Sequence, residues 1–138
     1  MKLICDTNII LDVVLKRDPF YTSSVGVLHM CEAGDIEGII PASSMTNLFY
    51  KVRRLSHSSD TAYKALDLTR QILSICSVTA EDERLAFDRR HHDYEDCLLA
   101  MTAASNGCDF ILTRNKADFS GFSVPAISPD ELLDMFMR

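Results

Sequence analysis

Short apolar runs that stop abruptly at a polar residue or proline, each followed by a helical pattern, constrain this chain most. Leu3 to Cys5 run straight into Asp6, and Ile36 to Ile40 run into Pro41. "CSVT" and "DFILT" are third and fourth runs of the same kind. Such runs suit strands covered on both faces. Between them the apolar residues recur at three and four. Asn8 to Leu15 places Ile9, Ile10, Val13 and Val14 on one side, and Tyr21 to Ala33 carries Val25, Leu28, Met30 and Cys31 up to a stop at Gly34. "RDPFY" separates these two helices, because Pro19 cannot continue one. "SSMTNLFYKVRRL" repeats Met45, Leu48, Phe49 and Val52, and after a polar break at Ser56 to Asp60 a further helix is expected over Ala62 to Ile75. Tyr94 to Asn106 is another helix, ended by Gly107. Thr79 with Asp82, and Ser128 with Pro129 and Glu131, read as helix starts. Strands alternating with helices in this way predict a parallel, doubly wound α/β sheet.

A length of 138 residues predicts a single domain, 1–138, able to bury roughly two-thirds of the surface its unfolded chain exposes. The net charge of −6 argues against a generally basic nucleic-acid coat but leaves room for a local basic patch. Cys5, Cys31, Cys76, Cys97 and Cys108 are odd in number, and no two lie within four residues of each other. They read as buried free thiols in a reducing cytoplasm rather than a disulfide framework or a Cys-x-x-Cys metal site. No apolar run approaches the roughly 20 residues a membrane span needs, and Met1-Lys2 leads too soon into Asp6 for a signal peptide.

In a doubly wound sheet, ligands bind beyond the carboxyl ends of the strands. Asp6 follows the first strand, and Asn115 and Asp118 follow "FILT". Asp93 and Asp96, three apart at a helix start, occupy neighbouring positions of one turn. Carboxylates gathered at one point repel each other unless a cation sits among them, and hard oxygen donors suit Mg2+ or Mn2+. Each acid has a plainer reading. Asp6 and Asp93 are also good helix caps, and Asp96 and Asp118 are also ordinary surface acids. His91 and His92, being adjacent, are expected to point in different directions and read as surface histidines.

"ICDTNIILDVVL", a helix after "IIPAS", and "DYEDCLLAMTAASNGCDFILTRNKADF" together resemble a PIN domain over nearly the whole chain. That resemblance implies a three-layer α/β/α sandwich around a short central parallel sheet. It implies a metal-dependent endoribonuclease hydrolysing RNA phosphodiester bonds. Many small bacterial members are VapC-type toxins of type II toxin–antitoxin modules, and the family usually forms homodimers. Carried over position by position, Asp6 and Asp96 match catalytic, metal-binding acids. Asn115 stands where the last acid usually falls, so Asp118 is the nearest carboxylate for that role, and Asp93 is a helper. Thr113 matches the hydroxyl at the strand end, with Thr7 and Asn8 as further supporting residues. The family's second acid, usually a glutamate, falls by register on Asn47, and no Asp or Glu lies between Glu37 and Asp60. Asn47 offers a carbonyl oxygen but no charge.

Lys51, Arg53, Arg54, Arg89 and Arg90 are the expected phosphate grips, with Tyr50 and Tyr94 available to stack on a base. The departure at Asn47 motivates one alternative, a non-catalytic PIN-fold module binding RNA or protein. A phosphoryl-transfer domain of receiver or haloacid-dehalogenase type fits poorly. The third strand ends without an Asp, and the third residue of "DTN" is not an acid.

Overall fold

The computed structural model describes residues 1–137. Five parallel strands form one sheet in the order β3-β2-β1-β4-β5, with β1 Lys2–Cys5, β2 Glu37–Pro41, β3 Ser74–Cys76, β4 Phe110–Leu112 and β5 Ala126–Ile127. Side chains of a strand alternate between its two faces, and the two cores divide accordingly. Leu3, Cys5, Ile40 and Leu112 face one core, built with Ile9, Ile10, Val27, Leu48, Ala62 and Leu132. Those partners belong to α1 Thr7–Val14, α2 Tyr21–Ala33, α3 Ala42–Ser56, α4 Ser59–Ile72 and α7 Pro129–Phe136. Ile4, Ile39 and Ile111 face the other core, against Leu99, Ala100 and Ala103 of α6 Tyr94–Ser105 and Phe119 of the 3-10 turn Lys116–Phe119. α5 Ala80–Arg89 packs on α6. The result is the expected three-layer α/β/α sandwich.

The chain leaves β1 and β2 toward one layer and leaves β3 toward the other, so the sheet reverses its winding between β1 and β4. Asp6 and Thr113 stand at the carboxyl ends of those two strands, at the switch point where open α/β sheets place ligands.

Several predicted helix ends form as the residues dictate. Thr79 with Asp82, and Ser128 with Glu131, close reciprocal capping boxes, and Gly34 and Gly107 take φ of 86° and 66°. The α4–β3 boundary differs from the expectation. The helix starts at Ser59 and stops at Ile72, and the third strand is Ser74–Cys76 rather than "CSVT". Leu73 is buried but already extended, and it accounts for the apolar periodicity that suggested a longer helix. β5 is a fifth strand of two residues, too short to carry a pattern.

Candidate active site

A cleft of about 270 Å³ opens at the switch point, lined by Asp6 and Thr7 from the β1–α1 junction, Ser43, Ser44 and Asn47 from α3, and Tyr94, Glu95 and Asp96 from α6. Asp6 occupies the N-cap position of α1 but makes no full capping hydrogen bond. Its Oδ2 instead accepts from the Thr113 hydroxyl at 2.9 Å, and that same Oγ1 accepts the Asn115 amide at 3.1 Å. Thr113 is fully buried, so this contact couples β1 to β4. Burial raises the Asp6 pKa. The Thr113 hydroxyl, the Asn8 and Thr7 amides and the Lys51 charge oppose the rise without cancelling it.

Asp96 stands in the first turn of α6. Its pKa is pushed up to about 7, first by desolvation, then by the charges of Asp93, Asp6 and Asp118. An acid with that profile and no cationic neighbour among its causes is a group with a functional signature. Asp93 caps α6, its Oδ1 accepting the Asp96 amide at 3.0 Å, so one expected ligand is already engaged as a cap. Asp118 is exposed on the 3-10 turn, outside the cleft lining, and acts on Asp96 only through its charge. Of the five proposed ligands, the structure therefore brings Asp6, Asp96 and Asn47 to one cleft and leaves Asp93 and Asp118 outside its lining. Asn8 and Asn115 contribute backbone groups beside Asp6 and Thr113.

Glu95 is the residue that sequence reasoning missed. Asn47 Nδ2 donates to Glu95 Oε1 across the cleft, joining α3 to α6. A carboxylate thus stands beside the position where α3 lacks one. No periodicity marks an exposed glutamate in a helical first turn, and only its place next to Asp96 in "YEDC" hinted at it.

The donors fit a magnesium-like cation. Among the described residues no three His, Cys, Asp or Glu side chains form a ready-made ligand set. Mg2+ does not require one, since it is commonly held by one or two carboxylates, with waters and substrate phosphate completing its shell. Asp6 and Asp96 could supply those two, and a cation held there would offset the part of the Asp96 rise that comes from neighbouring negative charge.

A second cleft, about 650 Å³, continues from Asn47 along α3 past Tyr50, Lys51, Arg53, Arg54 and His57. Acidic and basic clefts thus share one side chain. Arg89 and Arg90 lie elsewhere, at the end of α5, each guanidinium over an aromatic ring. Tyr94 lines the acidic cleft with its hydroxyl donated to Glu83 at 2.7 Å. His91 and His92 do not diverge as expected. Arg90 takes a φ of 54°, and the two rings stack with centroids 4.3 Å apart.

Among the described residues no helix is long and apolar enough to cross a membrane. The chain is 24% identical over 127 residues to Ribonuclease VapC1 of Aquifex aeolicus (strain VF5), covering 86% of this chain and 85% of that protein. Its fold is similar to that of a VapBC2 structure from Rickettsia felis bound to a promoter DNA fragment, with a TM-score of 0.71 at 19% identity, over 93% of this chain and 98% of that one. It is also similar to a chain of a toxin–antitoxin complex from Klebsiella pneumoniae, with a TM-score of 0.67 at 19% identity, over 92% and 97% of the two chains. The PIN domain profile matches residues 2–117. Taken with the switch-point acids, that match over most of its length makes this chain a member of the PIN domain family.

Proposed function

We propose that this protein is a divalent-metal-dependent endoribonuclease, using Mg2+ or Mn2+, and the toxin of a type II toxin–antitoxin module. The observation that carries the reading is the pairing of Asp6 with Asp96 at the sheet's switch point, beside a basic cleft reached through Asn47. The relatives support the same reading, one being a ribonuclease and another a chain of a toxin–antitoxin complex.

A bound divalent cation supplies a water of lowered pKa and neutralises charge developing on the phosphate. The remaining work belongs to the chain. Thr113 orients Asp6 by donating to Oδ2. Asp96, with its pKa pushed up to about 7, is a carboxyl whose charged form a cation held in the cleft would favour against the Asp93, Asp6 and Asp118 charges. Lys51, Arg53 and Arg54 pair the phosphates of the strand leading into the site. Asp118 adds negative charge at the rim, and Asn47 fixes Glu95.

RNA is the substrate, an antitoxin the protein partner, a homodimer the assembly and the cytoplasm the compartment in this reading. The non-catalytic alternative draws on one observation, the amide at position 47 where the family usually carries an acid. The test is cleavage of a folded RNA during Mn2+ titration, with Asp6→Asn as control. Metal-dependent cleavage abolished by Asp6→Asn is expected. RNA binding without cleavage at any metal concentration would leave the binding-module reading in its place.

A further inference from the structure

Four planar groups adjoin one another in a row at the corner between α5 and α6. The Arg89 guanidinium lies 4.6 Å from the centroid of the Phe122 ring, and its Nη2 donates to the Gly121 carbonyl at 2.6 Å. Phe122 meets His91 at 5.1 Å with planes 47° apart, and His91 meets His92 at 4.3 Å with planes 31° apart. The row ends at His92, which is exposed. Its geometry is fixed from below. The left-handed turn at Arg90 reverses the chain, and His91 Nδ1 accepts the Asp93 amide at 3.1 Å. Asp93 in turn caps the helix that carries Asp96. His92 and Asp96 are four positions apart, so at most roughly 14 Å of extended chain separates the free end of the row from the cleft acid.

We propose that the outer face of His92 is a stacking subsite for an unpaired base of the strand whose phosphate lies at Asp6 and Asp96. This rests on the nuclease reading for the identity of that strand. A row of tilted rings ending in an exposed histidine has room for one more planar group on its last ring. Base–aromatic stacking tolerates any base, because every base has a π face. Arg90, two residues before His92 with its guanidinium over the Phe87 ring, is the cation next in sequence to the stack, and Arg89 carries a second positive charge at its far end, in a chain of net charge −6. Charge and planarity together specify a nucleotide better than an apolar side chain of a partner protein.

The probe is a single-stranded oligoribonucleotide carrying 2-aminopurine at successive positions, whose fluorescence falls when the base stacks. Binding is measured on the full chain in EDTA, and on the Asp6→Asn variant with Mg2+. Quenching at one or two adjacent positions is expected. His92→Ala should abolish it and weaken binding roughly tenfold, since stacking contributes about 1–3 kcal/mol per base. His92→Phe should retain both effects, whereas His92→Leu, apolar but not planar, should behave as Ala. The exposed position leaves thermal unfolding unchanged in all three.

Quenching unchanged in His92→Ala overturns the subsite. So does a wild-type protein that cleaves RNA while no probe position is quenched, a result that leaves the nuclease reading intact. Quenching lost in His92→Ala, in a protein that cleaves nothing, supports the subsite and removes the nuclease. An RNA that never binds overturns both. A loss on His92→Ala seen only with a protein ligand would assign the face to a protein partner instead.

Discussion

Asn47→Glu restores the acid usual at this position and, by the geometry here, should do two opposite things. Asn47 now donates its amide hydrogen to Glu95. A glutamate there replaces a donor with a second acceptor and brings two carboxylates together. At about 4 Å two unit charges interact by about 1 kcal/mol in bulk water and about 4 kcal/mol at an effective dielectric of about 20. Glu95 is exposed and Asn47 half-buried, so the lower end applies, about 1–2 kcal/mol. In EDTA at low salt the melting temperature should fall by about 3–8 °C for a chain of this size, and roughly molar salt should recover much of that loss. Added Mn2+ should reverse the order. The variant offers one more negative ligand charge, and a cation binding only the folded state stabilises it in proportion to ln(1 + [L]/Kd). The double variant Asn47→Glu/Glu95→Gln should recover the metal-free melting temperature, since the amide introduced on α6 can donate to the carboxylate introduced on α3, while α3 keeps its new charge. Thermal denaturation of all three proteins across a Mn2+ series is the assay. If Asn47→Glu matches wild type both in EDTA and in Mn2+, then position 47 neither meets Glu95 nor faces the cation.

Two further outcomes follow from other parts of the site. The Asp96 pKa is raised in the fold from 3.8 to about 7, so the folded state holds the proton more tightly than the unfolded state does. The stabilisation this group provides is complete below 3.8 and is lost as pH rises to about 7, so metal-free stability should decline across that window. Asp96→Asn should flatten the slope in urea titrations, and a wild-type slope in the variant would exclude Asp96 as its source. Elsewhere, the fully buried Asp12 accepts from Arg114 Nε at 2.8 Å, with Arg17 farther off at 3.8 Å. Arg114→Met should cost about 3 kcal/mol in urea unfolding, the lower end for breaking a buried pair, because Arg17 remains. It should also loosen Thr113, its neighbour, and so weaken the Mn2+ response. A loss under about 1 kcal/mol would mean the pair contributes little.

What the sequence made legible, and what it did not, divides along physical lines. Strands buried on both faces declare themselves, which is why Leu3 to Cys5 and Ile36 to Ile40 were readable. β3 was misplaced because it is an edge with Ser74 and Ile75 exposed, so no burial pattern marks it. Caps are local chemistry, and Thr79 and Ser128 needed only their own first turns. Asp6, Asp96 and Asn47 were placed by family register together with the rule that ligands gather at strand carboxyl ends. Asp93 satisfied two readings at once, and the structure engages it as a cap. Glu95 and the histidine row were out of reach for different reasons. Glu95 matters only through a partner 48 positions away, and the His91–His92 contact follows a left-handed residue at Arg90 that a non-glycine does not announce.

The two central acids are not equivalent, and the difference follows from their neighbours. Asp6 is buried more deeply, yet Thr113, two amides and Lys51 all favour its charged form. Asp96 is pushed up to about 7 first by desolvation and then by neighbouring charges that are all negative. Both acids are raised, but Asp6 has hydrogen-bond donors and a cation that favour its charged form, whereas Asp96 has none among its causes. A cation binding there must displace the Asp96 proton below neutral pH and need not do so above it. Metal affinity should then rise with pH up to about 7 and level off, with close to one proton released per cation at the acid end of that range. Calorimetry of Mn2+ binding in two buffers of different ionisation enthalpy counts that proton. In Asp96→Asn both the proton release and the pH dependence should fall, and a proton count unchanged in that variant would move the titrating group elsewhere.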